Sequence, residues 1–174
     1  MGDNKLSQDD NKSNIVLIGM PTSGKSTVGV ILAKILGKDF VDTDLLIQKE
    51  AGRKLSEIIE EDGLDGFLRI EEEVCCNVNA ENTVIATGGS VVYGEKAMRH
   101  LKEISRIVYL EIDYETLEQR LHHVKQRGVV LKQGQTKKDL YEERIELYKR
   151  YADIVVSEEG MDIEGTVNRI VGLL

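Results

Sequence analysis

The sequence predicts a three-layer α/β fold, with a five-stranded parallel sheet between two layers of helices. Three observations lead to it. Short apolar runs alternate with amphipathic helical stretches five times along the chain, the order that builds strand–helix–strand crossovers. The runs at Ile15–Ile18, Val84–Ala86 and Val108–Leu110 carry no charged residue, as expected of parallel strands covered on both faces. The first run leads straight into Gly19-Met-Pro-Thr-Ser-Gly24-Lys25-Ser26. This is a complete G-x-x-x-x-G-K-[ST] phosphate loop set between a strand and a helix, the context that gives the motif physical meaning. The expectation is therefore a P-loop fold.

Composition bounds what such a fold can do. The chain has 174 residues, 41% hydrophobic and 31% charged, which suits one globular domain. That domain is expected over 14–174, after a polar, disordered tail at 1–13. A net charge of −8 argues against a nucleic-acid partner, which needs a basic footprint. It still permits a local cationic pocket for a small anion. Cys75 and Cys76 are adjacent and lack metal-site spacing, so they read as small apolar residues. No apolar run is long enough for a membrane span. A cytoplasmic monomer with no membrane partner is expected.

The elements follow in order. Residues 14–18 form the first strand. In the loop, Gly24 lets the backbone turn its N–H groups toward phosphate oxygens. The first turn of the next helix adds unpaired N–H groups and the positive end of its dipole. Lys25 reaches the β- and γ-phosphates and the Ser26 hydroxyl sits on Mg²⁺. Gly19, Thr22, Ser23 and Thr27 complete the nucleotide cradle. A helix over 25–36 places Val28, Ile31, Leu32, Ile35 and Leu36 at helical spacing, and Gly37 stops it.

Phe40-Val41 is a short second strand ending in Asp42-Thr43-Asp44. Paired acids at the carboxyl end of a strand lie where open α/β sheets bind ligands. Thr43 or Asp44 is also a credible cap for the next helix. That helical pattern runs from Leu45 to Asp62 with a break at Gly52. Gly63 and Gly66 then bracket a turn before a helix over 65–79, with Phe67, Ile70, Val74 and Val78 as its apolar stripe, widened by Leu68 and Cys75. Arg69 and Glu71 lie on other faces, and Glu72 and Glu73 are expected in solvent. The third strand, 84–86, leads into Thr87-Gly88-Gly89-Ser90, whose glycines imply close backbone approach to a ligand.

A helix over 95–102, a strand over 107–110 and a helix over 114–122 come next. His122 and His123 are expected on the surface. Residues 124–136 carry Lys125, Arg127, Lys132 and two glycines with few apolar residues, which suits a flexible, phosphate-facing lid. The remaining pieces are a helix over 137–151 bearing Leu140, Arg144, Leu147 and Tyr148, a strand over 154–156, and a helix over 162–174 with Ile163, Val167, Ile170 and Val171 inward.

Taken together, these motifs resemble the shikimate kinase family of nucleoside-monophosphate-kinase-like P-loop proteins over about residues 14–172. The residues carrying the resemblance are the loop, Phe40-Val-Asp-Thr-Asp44, Gly52, Asp62-Gly63, Phe67 with Arg69-Ile-Glu-Glu72, Ile85-Ala-Thr-Gly-Gly89, the basic lid, and Arg144 with Leu147-Tyr148. The resemblance implies ATP-dependent phosphorylation of an alcohol, with shikimate as the small-molecule acceptor and Mg²⁺ required. Ser26 would bind the metal directly, and Asp42 would help hold its waters. Asp44 would act as general base, with Lys25 and the lid residue Arg127 as the other catalytic groups. Arg127 would also contact the nucleotide. Glu71, Gly88, Gly89 and Arg144 would line the acceptor, Arg144 pairing with its carboxylate.

Three positions depart from the family pattern. Phe-Arg-x-x-Glu becomes Phe67-Leu68-x-x-Glu71. Arg69, one step on and rotated about 100° around the helix, is not expected to replace the missing arginine. Ser90 stands at the third position of the glycine triplet. Arg127-Gly-Val-Val-Leu131 replaces Arg-Pro-Leu-Leu in the lid. Loss of one charge-assisted hydrogen bond at 68 should weaken shikimate binding about tenfold to a hundredfold if uncompensated. A paralogous kinase for another hydroxylated molecule, or a non-catalytic ATP-binding regulatory domain, remain as alternatives.

Overall fold

The computed structural model describes residues 12–123 and 131–174. Most of the expected tail and the first half of the expected lid, including Arg127, lie outside these residues. The strands are β1 (Asn14–Ile18), β2 (Asp39–Asp42), β3 (Thr83–Ala86), β4 (Ser105–Glu111) and β5 (Ile154–Ser157). All pairs are parallel, in the order β2-β3-β1-β4-β5. The phosphate-loop strand is thus central, with Val16 in register with Ile85 on one side and Ile107 on the other.

Alternation along the strands makes two cores. Val16, Ile18, Ile85, Ile107 and Tyr109 face a layer built from α3 (Leu55–Cys76), α4 (Glu95–Ile104), α5 (Tyr114–His123) and α6 (Lys137–Tyr151), meeting Cys75, Met98, Leu101, Leu117 and Tyr148. Ile15, Leu17, Val84, Val108 and Leu110 face α1 (Lys25–Leu36) and α7 (Ile163–Val171), meeting Val28, Leu32, Val167 and Ile170. A smaller cluster of Ile47, Ile58, Phe67 and Val74 joins α2 (Thr43–Ala51) to α3, with Leu68 packed against it. The sheet is closed on both faces, and the ligand-facing loops emerge from its carboxyl edge.

Several expectations need correction. Gly66 does not interrupt a helix; it is buried inside α3, which bends only at Gly63 (φ 71°, ψ −179°). The cap of α2 is Asp42, whose side chain accepts from the Asp44 N–H, in place of Thr43 or Asp44. Ile35, Ile163 and Val171 are exposed, because only part of each helix's apolar stripe reaches the sheet. Glu72 is half-buried and accepts from the Lys96 N–H. Cys75 is buried and Cys76 half-buried, both as free thiols.

Candidate active site

A cleft of about 730 Å³ opens over the carboxyl edge of the sheet. One wall is the phosphate loop. Gly19 has φ 151°, and a Cβ there would lie 2.6 Å from the Leu110 carbonyl oxygen, so the loop's first residue has no room for a side chain. Gly24 turns the chain into α1 at φ 78°. Lys25 is buried, and its ammonium donates to the carbonyls of Gly19 (2.9 Å) and Met20 (2.7 Å) and to Ser23 Oγ (3.3 Å). The loop therefore holds its lysine against its own backbone, at the positive end of α1.

Ser26 Oγ donates to Asp42 Oδ2 at 2.6 Å, while Asp42 Oδ1 accepts from Asp44 N at 2.9 Å. One carboxylate thus ties the start of α1 to the start of α2. A hydroxyl and a carboxylate at the edge of a phosphate loop form the hard oxygen set that Mg²⁺ takes, so these residues fit the metal the resemblance implies. Asp44, in the first turn of α2, lines the cleft.

The opposite wall is the Thr87–Ser90 turn. A Cβ on Gly88 would meet Glu71 Oε1 at 2.5 Å and Asp44 Oδ1 at 3.0 Å; one on Gly89 would meet Pro21 Cδ at 2.7 Å. The glycines therefore let the turn pass close to two carboxylates and press against the phosphate loop; the close approach the structure shows is to these protein groups. Tyr148, stacked on Tyr109 at 5.0 Å, fixes the turn by donating to the Gly89 carbonyl.

Glu71 is buried beneath this turn. Its Oε2 accepts from Ser90 Oγ at 2.5 Å, and Oε1 has no hydrogen-bond partner among the described residues. Burial raises its carboxyl from the ordinary 4.5 to about 7. The Ser90 hydrogen bond opposes this, Asp44 adds to it, and the charges of Arg144 and Lys25 oppose it. Arg144 is also buried and lines the cleft. Its Nε donates to the Tyr93 hydroxyl at 3.3 Å, and its guanidinium carbon lies 5.3 Å from the centre of that ring.

The structure brings Gly24, Lys25, Ser26, Thr27, Thr22, Asp44, Gly88, Gly89 and Arg144 onto one cleft, with Asp42 and Glu71 directly behind. Arg69 is not on it. That residue is exposed, and its charge helps hold the Asp62 carboxyl below its usual range, after the larger effect of Arg53. The α3 residues lining the cleft are Leu55, Ile59, Leu64 and Phe67 with Ser56 and Glu60, and none of them is a cation.

Two residues escaped the sequence reading. Arg120 lines the cleft and donates to the Thr22 carbonyl and to Glu158, each at 3.0 Å. Tyr93 orients Arg144. Both act across long separations in the chain, and the only local signal for Arg120 was its place on a helix after a central strand.

Comparison with known proteins agrees with this geometry. The shikimate kinase family profile matches residues 21–174. A shikimate kinase of Persephonella marina is 37% identical over 160 residues, spanning 91% of this chain and 97% of the relative. One from Clostridium botulinum is 40% identical over 146 residues, spanning 82% and 86%. The solved shikimate kinase from Acinetobacter baumannii in complex with shikimate superposes with a TM-score of 0.83 at 28% identity, covering 96% of each chain. Five parallel strands in this order, a complete phosphate loop facing a glycine turn, and matches across nearly the whole length lead to one conclusion: the chain belongs to the shikimate kinase family.

Proposed function

We propose that this chain transfers the γ-phosphoryl group of ATP to a hydroxyl of shikimate, giving shikimate 3-phosphate for aromatic amino acid biosynthesis. The observation that carries this reading is the placement of Asp44 beside Gly88, on the same cleft as Lys25. Donor and acceptor groups thereby share one enclosed space.

The loop amides and Lys25 bind the ATP phosphates and spread the charge that develops on the transferred group. Ser26, with Asp42 behind it, would hold Mg²⁺, and the bound ion would supply charge neutralisation for the transferred phosphoryl group. Asp44 accepts the proton of the attacking hydroxyl. Gly88 and Gly89 bring the turn's backbone up to the acceptor. Arg144, oriented by Tyr93, meets the acceptor carboxylate with its planar fork. Glu71 anchors this side from behind. The resemblance also assigns a phosphate contact to Arg127, which lies outside the described residues. Since both reactants are small anions, the chain needs neither nucleic acid nor membrane, and it works as a cytoplasmic monomer.

Mg-ATP with shikimate, followed by ADP release and by ³¹P NMR of the product, tests the proposal. The α3 wall, which brings Glu60 and no cation to the cleft, favours one second reading, an alcohol with less negative charge. Turnover restricted to such an alcohol would select it.

A further inference from the structure

Ser90 occupies a position that the assigned chemistry does not use. It lines the cleft with 8% of its surface exposed, and its hydroxyl donates to Glu71 Oε2. An ionised carboxylate offers about four acceptor sites. Among the described residues Glu71 is supplied by this one hydroxyl, and its second oxygen is buried without a partner. Its own helix offers no cation: Leu68, one turn earlier, packs into the α2–α3 cluster, and Arg69 is exposed near Asp62.

The charged and titratable groups around Glu71 come from three other elements. Asp44 on α2 favours its protonated form, while Lys25 on α1 and Arg144 on α6 favour the charged form. Tyr148 on α6 and Cys75 on α3 also feel its charge. With burial outweighing the cations, the carboxyl stands at about 7. A single hydrogen bond is enough to decide its state near neutral pH.

We propose that Ser90 is a positioning residue for phosphoryl transfer: its hydroxyl favours the ionised form of Glu71 and orients it beneath the glycine turn, and ionised Glu71 in turn holds the turn and Arg144 in place for the acceptor. This rests on the acceptor reading above. A glycine at 90 would supply no donor. The serine therefore adds to this chain an electrostatic anchor that its helix α3, with Leu68, does not provide.

The test compares the wild-type chain with Ser90→Ala and Ser90→Thr. It measures kcat and KM for shikimate and ATP from pH 5.5 to 9, and follows the Glu71 carboxyl by ¹³C NMR. In Ser90→Ala, the acid limb of kcat/KM for shikimate and the Glu71 midpoint should both move up by about one pH unit, the size of one lost hydrogen bond to a charged group. The loss should be about fivefold at pH 7, approach tenfold below about pH 6 and vanish by pH 9, with KM for ATP unchanged. Ser90→Thr, which keeps the hydroxyl, should behave as wild type. A Glu71 midpoint that is the same in Ser90→Ala and wild type overturns the proposal, as does an unmoved acid limb. If the wild-type chain does not turn over shikimate, the acceptor reading fails, and the Glu71 titration alone still decides whether Ser90 holds the carboxylate.

Discussion

Ser26 Oγ donates to Asp42 Oδ2 at 2.6 Å across sixteen residues of sequence. The other oxygen of that carboxylate caps α2 through the Asp44 N–H. Asp42 thus links the proposed metal ligand to the proposed base. Asp42→Asn keeps one acceptor for the cap but loses the charge. We expect the Mg²⁺ concentration for half-maximal activity to rise about tenfold to a hundredfold, the usual cost of disturbing a ligand's supporting partner. KM for shikimate should change little. Metal titrations at saturating ATP check this.

Asp44→Asn removes the proton acceptor and leaves the phosphate loop intact. A fall in kcat of about 10²–10⁴-fold is expected, the range for a positioned general base, with ATP affinity by calorimetry unchanged. Retained turnover would remove Asp44 from the base role.

Leu68→Arg tests the altered acceptor wall. Leu68 is half-buried against the α2–α3 cluster and contributes no charge to the cleft. A guanidinium that reaches the acceptor should lower KM for shikimate about tenfold or more. The same variant should gain nothing with an analogue lacking the carboxylate. No gain with shikimate means that the site already meets the carboxylate by other means.

The pH dependence of stability follows from Glu71. Its carboxyl is raised by burial from 4.5 to about 7, so the folded chain holds a proton in that window that the unfolded chain releases. The associated stability is full below about 4.5 and is lost as pH rises through about 7. Glu71→Gln has no such proton to lose. Its melting temperature relative to wild type should therefore climb between pH 5 and pH 8, by an amount worth at most on the order of a few kcal/mol. Differential scanning calorimetry at several pH values reads it directly.

The donor half of the site was legible from sequence because it is local. Gly19 to Ser26 is one contiguous motif, and its strand and helix are fixed by periodicity on either side. The central strands β1, β3 and β4 were found for the same reason, since buried parallel strands announce themselves as apolar runs; the edge strands β2 and β5, only partly buried, were read from two or three apolar residues between helical stretches. Side-chain partnerships across the fold were not legible. Nothing near Ser90 in sequence points to Glu71, nineteen residues away, nor near Tyr93 to Arg144. The helix stripes also over-promised at Ile35, Ile163 and Val171, because periodicity marks an apolar face without saying how much of it the neighbouring layer covers. Gly66 misled for a related reason: glycine permits a turn, yet here it serves close packing inside α3, where a Cβ would sit 2.6 Å from Asp62 Cβ.

The most direct measurement of the central claim is ADP release from Mg-ATP with and without shikimate, with the product identified by ³¹P NMR. The account predicts shikimate-dependent turnover and one new phosphomonoester resonance, both lost in Asp44→Asn. ATP binding with no stimulation by shikimate, or stimulation only by a different alcohol, would contradict it.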